Sequence, residues 1–361
     1  MIYSERLAET LMKRFPDPDS YPYLSWSYSQ GFMLWGFIRL FEKTGKDSYF
    51  SYVKQYCEEH VQADGTVLGF TGVSLDDIMT GSVLAWMYQH TKEEKYRLAC
   101  NHIRLAFNDY PRNRDGGFWH GRPLEGEMWV DGLFMGLMFL VRYGAYVNEE
   151  DRSYCFSEAI RQLNIVFDRC EKDGTGLLYH AYSERPETPW ASVINGKSSE
   201  VWSEGLGWYA MILVDVLGII PKDFPGWDSV QKQLEKLLCS LAKVQDSCSG
   251  LWYQVVDKIH DPGNWCDTSG SAMFLYTFYK ARALNLVEPW KYDEVIRKGF
   301  EGLKTKYLID PEGNVNIIDA CDGLGVQLNY EFYVRFRKSV NAKEAVAAVL
   351  WATAAVEFDA I

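Results

Sequence analysis

The sequence has no cluster of basic residues and no long apolar run. Lys and Arg total 37 against 49 Asp and Glu, which leaves a formal net charge of −12. An acidic chain without a basic run lacks the positive surface that binds phosphate backbones, so we expect no nucleic-acid partner. The longest apolar segment, 128–141, is interrupted by Asp131 and two glycines. It falls short of the roughly 18 residues that a membrane helix needs, so we expect no membrane partner.

Paired cysteines and targeting signals are also missing. None of the eight cysteines forms a C-x-x-C pair, and no His or Cys cluster has metal-ligand spacing. The sequence therefore predicts neither a disulfide framework nor a metal site. The first residues contain no basic segment followed by an apolar one, which together with the scattered thiols favours a cytoplasmic protein. Phosphate-binding glycine loops, dinucleotide fingerprints and serine nucleophile elbows are absent, so we expect no cofactor.

What the sequence does contain is a repeat of apolar helices, at intervals of roughly 50 to 75 residues. Each begins at a glycine or an alanine: Gly31, Gly81, Gly132, Gly207, Gly270 and Ala345. Amphipathic segments lie between them, among them 92–110, 151–170, 227–244 and 291–307. Apolar helices are typical of an inner layer and amphipathic ones of an outer layer.

This alternation predicts an all-α protein, an (α/α)6 barrel in which six inner helices are enclosed by six outer ones. An open solenoid of helix pairs is the alternative, but six repeats without an obvious polar cap favour closure. Because no Pro/Gly/Ser-rich linker divides the chain, we expect a single catalytic domain over residues 1–361.

A second repeated feature is a glycine turn that leads into aromatic or β-branched residues. It occurs near Gly65, Gly116, Gly174 and Gly250, with a weaker copy at Gly313. Sustained strand alternation is absent, so the sequence predicts short extended loops here. These loops and the starts of the inner helices should line one mouth of the barrel.

Asp131 is an isolated carboxylate within an apolar helix. An ion is costly to bury, so such a group is paired, protonated or facing a polar cavity. Apolar neighbours such as Trp129 would raise the pKa of its carboxyl, as a general acid requires. The alternative is that Asp131 caps the helix that follows, and periodicity alone favours this alternative.

Asp76 and Asp77 stand at the same place in the preceding repeat, just before its inner helix. We expect one of them to face Asp131 across the cavity, and two carboxylates are the minimal equipment for acid–base chemistry on a sugar. Spacing alone again favours helix capping.

Histidines and tryptophans gather near the same turns. His120 and His180 each follow a glycine–aromatic turn, which should place both imidazoles at one mouth. Aromatic planes stack on the C–H faces of sugars, so tryptophans there favour a saccharide cleft over a purely structural cluster. Eight of the 13 tryptophans lie beside an inner-helix start: Trp26, Trp119, Trp129, Trp190, Trp202, Trp208, Trp252 and Trp265.

Three segments carry a resemblance to a known family. They are 128–136 (MWVDGLFMG), 202–215 (WSEGLGWYAMILVD) and 263–274 (GNWCDTSGSAMF). Together they resemble glycoside hydrolase family 105, the unsaturated rhamnogalacturonyl hydrolases, which is related to the unsaturated glucuronyl hydrolases of family 88. The resemblance runs from about Trp26 to the C-terminus and implies the same (α/α)6 barrel.

The resemblance also implies roles for individual residues. Asp131 corresponds to the general acid/base, and Asp76 to the second active-site aspartate. The expected substrate-binding residues are His120, His180, Trp129, Trp202, Glu204 and Trp208.

The implied reaction is the hydration of a 4,5-unsaturated uronic acid at the non-reducing end of a lyase-generated oligosaccharide, of the pectin or rhamnogalacturonan type. Asp131 would protonate C4 and then activate the water that adds to C5. The resulting hemiketal would collapse and expel the neighbouring sugar. The oligosaccharide is the expected partner, with a monomer or a weak homo-oligomer as the assembly.

One position departs from the family pattern. The second motif usually reads Trp-x-Arg-Gly-x-Gly-Trp, and Glu204 stands here in place of the arginine. Arginine would supply positive charge to an anionic sugar, whereas glutamate reverses that charge. Either another cation compensates, with Arg122, Arg185 and Lys197 as loop candidates, or the substrate differs.

Two other functions therefore stay open. One is an (α/α)6 hydrolase or epimerase that acts on a saturated or neutral sugar; an epimerase would use His120 and His180 on opposite faces of the ring. The other is a barrel that binds oligosaccharides without catalysis.

Overall fold

The computed structural model of the chain describes residues 2–22 and 25–358. Inner and outer helices alternate through this part of the chain. The inner helices are α2 (Tyr28–Thr44), α5 (Gly81–Thr91), α7 (Val130–Arg142), α9 (Ser203–Ile219), α11 (Thr268–Ala283) and α14 (Lys343–Val356). The outer helices are α1 (Tyr3–Arg14), α3 (Asp47–His60), α6 (Glu94–Leu105), α8 (Arg152–Cys170), α10 (Trp227–Lys243) and α12 (Asp293–Lys304). Two short helices lie at the loops, α4 (Leu75–Met79) and α13 (Tyr330–Arg335).

The inner helices form a closed ring. Each one packs against the next along the chain, and α14 packs back against α2. Each outer helix covers the inner helix that precedes it, and α1 covers α14. This closure confirms the (α/α)6 barrel and excludes the open solenoid, in which the first and last helices would be far apart.

Burial separates the two rings as their residue patterns predict. Every residue of α7 is buried, because an inner helix contacts neighbours on all sides. In the outer helix α12, only Ile296, Gly299, Gly302 and Leu303 are buried. This single apolar stripe is typical of a helix with one face in water.

One segment of the described residues, 130–147, is long and apolar enough to cross a membrane by length and composition alone. It consists of α7 and the π-helical turn Tyr143–Val147, and 83% of it is buried inside the protein. Its apolar character therefore reflects its place in the inner ring.

The glycines that mark the inner helices lie at or just inside their first turns. Gly207, for example, follows the start of α9 at Ser203 by one turn. A Cβ at Gly207 would lie 2.6 Å from the sulfur of Met273 on α11, and one at Gly270 would lie 2.0 Å from the hydroxyl of Ser203. At these positions glycine lets neighbouring inner helices approach closely, which is why it recurs there.

Within the described residues, four two-stranded antiparallel sheets lie in the loops between the helices. They pair β1 (Glu127–Trp129) with β2 (Ala181–Ser183), β3 (Trp252–Tyr253) with β4 (Cys266–Asp267), β5 (Tyr307–Ile309) with β6 (Val315–Ile317), and β7 (Ala320–Cys321) with β8 (Lys338–Ser339).

The predicted loops at the glycine turns are hairpins in part. Single bridges join Val61 to Val67, Arg112 to Phe118 and Glu171 to Leu178. The weakest copy, at Gly313, is the turn between β5 and β6. Each segment is too short to show strand alternation, so the sequence did not predict that it pairs with another segment.

Candidate active site

A cavity of about 230 Å³ opens at the N-terminal ends of the inner helices. Seven of the eight residues predicted from the sequence line it: Asp76, His120, Trp129, Asp131, Trp202, Glu204 and Trp208. The loops and helix starts therefore meet at one mouth of the barrel.

Asp131 is the second residue of α7, and it both faces the cavity and binds the start of its helix, the two roles that the sequence left open. Its side chain is 13% exposed and lines the cavity. Oδ1 accepts a hydrogen bond of 2.9 Å from the backbone N–H of Gly132. The carboxylate thus satisfies one free donor of the helix start and still reaches the cavity.

His120 lies between the two aspartates. Its Nε2 is 3.5 Å from Oδ2 of Asp76, and its Nδ1 is 3.8 Å from Oδ1 of Asp131. The indole of Trp129 stacks on the imidazole, with 4.3 Å between ring centroids and 10° between planes. Burial alone would lower the pKa of His120, but the negative charges, first of Asp76 and then of Asp131, raise it to about 9. At neutral pH this histidine is therefore protonated.

The pKa of Asp131 is lowered, which corrects the expectation of a raised value. Burial alone would raise it, but the interaction with His180 and the positive charge of His120 outweigh burial. The sequence showed the apolar neighbours of this residue and not the two imidazoles. The resting proton of the site thus belongs to His120, and Asp131 is ionised.

His180 contacts Asp131 from the other side and is fully buried. Its Nε2 is 3.9 Å from Oδ2 of Asp131, and its Nδ1 is 2.8 Å from the hydroxyl of Tyr333. Burial is the largest influence on this imidazole and lowers its pKa, so it is neutral. We assign the N–H to Nε2, with Tyr333 donating to Nδ1. His180 does not line the cavity, so it lies behind the carboxylate and not opposite His120 across a sugar.

Asp76 and Asp77 point to different places. Asp76, the second residue of α4, lines the cavity. Asp77 accepts hydrogen bonds from the backbone N–H groups of Thr71 and Gly72, at 3.0 and 2.8 Å. Asp77 therefore organises the preceding loop, and Asp76 is the aspartate that shares His120 with Asp131.

Three tryptophans of the predicted cluster reach the cavity: Trp129, Trp202 and Trp208. The other five lie outside its lining: Trp26, Trp119, Trp190, Trp252 and Trp265. Trp252, for instance, is fully buried, packs on Phe274 and donates to the carbonyl of Leu241 at 2.8 Å. For the three buried members outside the lining, Trp26, Trp252 and Trp265, proximity to a helix start reflects core packing.

Glu204, the second residue of α9, is 1% exposed. Its Oε2 lies 2.7 Å from the hydroxyl of Ser269. Burial raises the pKa of the Glu204 carboxyl well above its usual value, and the negative charges of Glu344 and Asp267 add to this effect.

The three cations expected to compensate Glu204 do not line the cavity. They bind loop groups of their own: Arg122 binds Asp109, Arg185 binds Glu125 and Glu187, and Lys197 binds the carbonyl of Glu171. The lysine that lines the cavity is Lys343, the first residue of α14. Lys343 was not predicted, because it lies at a helix start and the three predicted cations lie in loops.

Other cavity residues were missed as well. Tyr28 and Lys343 are the first residues of α2 and α14, so the rule that inner-helix starts line the mouth would have found both. Leu324 and its glycine neighbours, and Tyr333 behind them, belong to a C-terminal segment of low periodicity. No sequence signal marked that segment. Within the part of the chain that the structure describes, no group of three or more His, Cys, Asp or Glu side chains is placed to hold a metal ion.

Comparison with known proteins agrees with the motif resemblance. The sequence model of Glycosyl Hydrolase Family 88 matches residues 3–358. Protein Atu3128 from Agrobacterium fabrum is 32% identical over 183 residues, which cover 50% of this chain and 76% of that protein. Unsaturated rhamnogalacturonyl hydrolase YesR from Bacillus subtilis is 23% identical over 339 residues, which cover 92% and 90% of the two chains.

A solved structure extends the likeness to the whole fold. A glycoside hydrolase of family 105 from C. acetobutylicum superposes with a TM-score of 0.91 at 27% identity, over 99% of each chain. The resemblance predicted from the three motifs is thereby confirmed, and so is the helical barrel.

Proposed function

The chain belongs to Glycosyl Hydrolase Family 88, and we propose that it removes a 4,5-unsaturated uronic acid from the non-reducing end of oligosaccharides produced by a polysaccharide lyase. The observation that carries this proposal is the row Asp76–His120–Asp131 in the cavity. The substrate class follows the relative YesR, whose name describes an unsaturated rhamnogalacturonyl hydrolase. Pectin-type oligosaccharides are therefore the first substrates to consider.

The proposed reaction adds one water molecule across the C4=C5 double bond. A proton goes to C4, and the positive charge that develops at C5 is shared with the ring oxygen. Water adds to C5 and releases a proton to the enzyme, which gives a hemiketal. The hemiketal opens to a ketone at C5, and the hemiacetal left at C1 expels the neighbouring sugar as an alcohol. The anomeric carbon is never attacked directly.

His120 and Asp131 together supply and recover the proton in this scheme. In the resting site the proton lies on His120, 3.8 Å from the Asp131 carboxylate. Its transfer to Asp131 gives a carboxylic acid in the cavity, and the carboxylate that forms after protonation of C4 is the base for water. One carboxyl group can serve first as acid and then as base when a neighbouring imidazole can give it a proton and take one back.

The remaining polar residues position this pair. Asp76 stabilises the charged form of His120, and His180 holds the second oxygen of Asp131. Trp129 keeps the His120 ring in place by stacking. Trp202 and Trp208 lie in the cavity wall but are buried, at 1% and 2% exposure, so Trp129 is the partly exposed indole available to the sugar.

Three further points belong to the proposal. We propose a cytoplasmic location, supported by eight free cysteines, of which five with raised pKa values are fully buried: Cys57, Cys100, Cys155, Cys170 and Cys321. The single catalytic domain over 1–361 and the monomer or weak homo-oligomer stay predictions.

The test is a spectroscopic assay on lyase-generated unsaturated disaccharides from rhamnogalacturonan and from glycosaminoglycans. Hydration removes the C4=C5 double bond, so the ultraviolet absorbance of the substrate should fall. We expect this decay with the wild-type enzyme and no decay with Asp131→Asn.

Asp228→Asn is the matched control, because Asp228 is the second residue of the outer helix α10 and is exposed. It should turn over substrate at the wild-type rate. Stable absorbance with every unsaturated disaccharide and the wild-type enzyme would contradict the proposal.

A further inference from the structure

Three buried oxygens form a row beside the cavity. The hydroxyl of Ser269 lies 2.7 Å from Oε2 of Glu204 and 2.7 Å from Oδ2 of Asp267. All three side chains are buried, with exposures of 0%, 1% and 0%. A hydroxyl carries one proton, so it can donate to only one of the two carboxyl groups. The other short contact requires a second proton, which one of the carboxyl groups must supply.

The surroundings of Asp267 decide where that second proton lies. Oδ2 of Asp267 accepts from the backbone N–H of Gly270 at 2.8 Å, and Oδ1 accepts from that of Cys321 at 2.8 Å. Burial raises the pKa of Asp267, and these two backbone donors, one in the first turn of α11 and one in β7, oppose that effect by stabilising the ionised carboxylate. Glu204 has no backbone donor among the described residues, so it is the group that donates to Ser269.

Lys343 enters the same cavity from the start of α14. Its ammonium pairs with Glu344, which also accepts a hydrogen bond of 2.6 Å from the hydroxyl of Tyr28. A Cβ at Gly323 would lie 2.8 Å from Oε1 of Glu344 and 3.4 Å from the Lys343 ammonium. The loop at Gly323 can cover this pair because it carries no side chain there.

We propose that Lys343 receives the carboxylate of the unsaturated uronate, beside a Glu204 that is present as an uncharged carboxylic acid. This inference rests on the proposed function for the identity of the substrate. It explains how a glutamate can occupy the wall of a site for an anionic sugar. Protonated, Glu204 does not repel the substrate, and its carboxyl group lines the cavity, where it can bond a sugar hydroxyl. The site should therefore prefer the free acid to its methyl ester.

The first experiment measures KM and kcat for the unsaturated disaccharide as free acid and as methyl ester. Lys343→Met should raise the KM of the free acid by about 10- to 100-fold, as expected for the loss of one charge-assisted hydrogen bond. The KM of the ester should change less than about threefold, since the ester offers no charge to the ammonium. Lys343→Arg should restore most of the selectivity for the acid.

Lys232→Met is the control for the loss of one positive charge, because Lys232 is exposed on the outer helix α10. Thermal unfolding of each variant shows whether a loss of activity comes from unfolding. An equal rise in KM for acid and ester, or no rise in either, would overturn the role of Lys343.

The second experiment reads the charge of Glu204 directly. The infrared difference spectrum of wild-type minus Glu204→Gln should contain the carbonyl stretch of a protonated carboxylic acid. Ser269→Ala should shift that band, because it removes the partner of the acid O–H. Glu204→Gln should also keep the ratio of the two KM values within about twofold of wild-type, because it removes no charge. A carboxylate band in place of the acid band would overturn the assignment.

The two experiments separate this inference from the proposed function. If the wild-type enzyme leaves the absorbance of every unsaturated disaccharide unchanged, the proposed function fails. The infrared spectrum still decides the charge of Glu204. If turnover is observed without the difference between acid and ester, the function stands and the role of Lys343 fails.

Discussion

The two ends of the inner helices differ in their charged residues. At the N-terminal end, the first turns of α7, α9 and α14 hold the carboxylates of Asp131, Glu204 and Glu344, with one lysine, Lys343. At the C-terminal end, a second cavity of about 370 Å³ is lined by the cations Arg39, Arg142 and Lys280 and by the carboxylates Glu42 and Asp215. The helix dipole favours this division, because its N-terminal end attracts negative charge and its C-terminal end positive charge.

The partners of the buried aspartate differ between the two ends. Asp215 is bound by the guanidinium of Arg142 and lies 3.4 Å from that of Arg39. Asp131 has two imidazoles as its charged or polar neighbours. Arginine keeps its proton at every physiological pH, whereas the imidazole of a histidine can release its proton and take it back. The same residue type is thus a fixed ion pair at one end and part of a proton-transfer site at the other.

The sharpest test of this contrast is Asp131→Asn. We expect kcat/KM to fall by about a thousandfold or more, because the amide can neither carry nor accept the proton. The midpoint of thermal unfolding should change little, since the amide oxygen can still accept from Gly132. Steady-state kinetics and calorimetry on the same sample measure both quantities.

Asp215→Asn should show the reverse pattern. Removal of one charge leaves Arg142, which is 4% exposed, without its anionic partner. The free energy of unfolding should fall by about 3 kcal/mol, the usual cost of breaking a buried ion pair. Denaturant titration gives the stability, and the KM of the folded fraction should match wild-type. A loss of activity in the folded fraction would mean that the two ends are coupled.

His120→Gln tests the proton at the catalytic end through its pH dependence. The folded pKa of His120 is raised to about 9, so the imidazole is charged below that value and loses its charge above it. Wild-type kcat/KM should fall as the pH rises through about 9, and the variant should lack this limb. Stability gained from the charged imidazole should be complete below the unfolded pKa of about 6.5 and disappear as the pH rises towards 9. A pH profile that is the same in both proteins would place the proton elsewhere.

Lys280→Met should have the smallest effect. Burial lowers the pKa of Lys280, and the positive charge of Arg39 lowers it further. A charged lysine there costs folding free energy, so an apolar side chain of similar length should leave stability unchanged or raise it by up to about 1 kcal/mol. A clear loss of stability in chemical denaturation would show that Lys280 holds Asp215 as the arginines do.

Sequence reasoning recovered the repeat and most of the site, for a physical reason. An inner helix must be apolar on all sides, so it can be recognised from a single sequence without knowledge of the helices that it contacts. Asp131 stood out because it interrupts that pattern, and Glu204 because it replaces the arginine of the family motif. Trp252 was grouped with the site wrongly, because position along a helix does not say which way an indole points.

The charge of each group could not be predicted in the same way. The apolar neighbours of Asp131 suggested a raised pKa, and the folded protein lowers it through two imidazoles that lie 11 and 49 residues away in sequence, at His120 and His180. In the sequence, Glu204 suggested a negatively charged cavity wall. In the folded protein it lies beside Ser269, Asp267 and Glu344, which belong to the starts of α11 and α14.

The alternating rings, the glycines at their contacts and the residue types at the mouth of the barrel can be read from the sequence, because they depend on periodicity along the chain. The tertiary structure alone shows that Asp77 binds the preceding loop, that His180 lies behind the carboxylate, and that Lys343 shares the cavity with Glu204. Proton positions and partners depend on distances of a few ångströms between separate helices, and closure of the ring sets those distances.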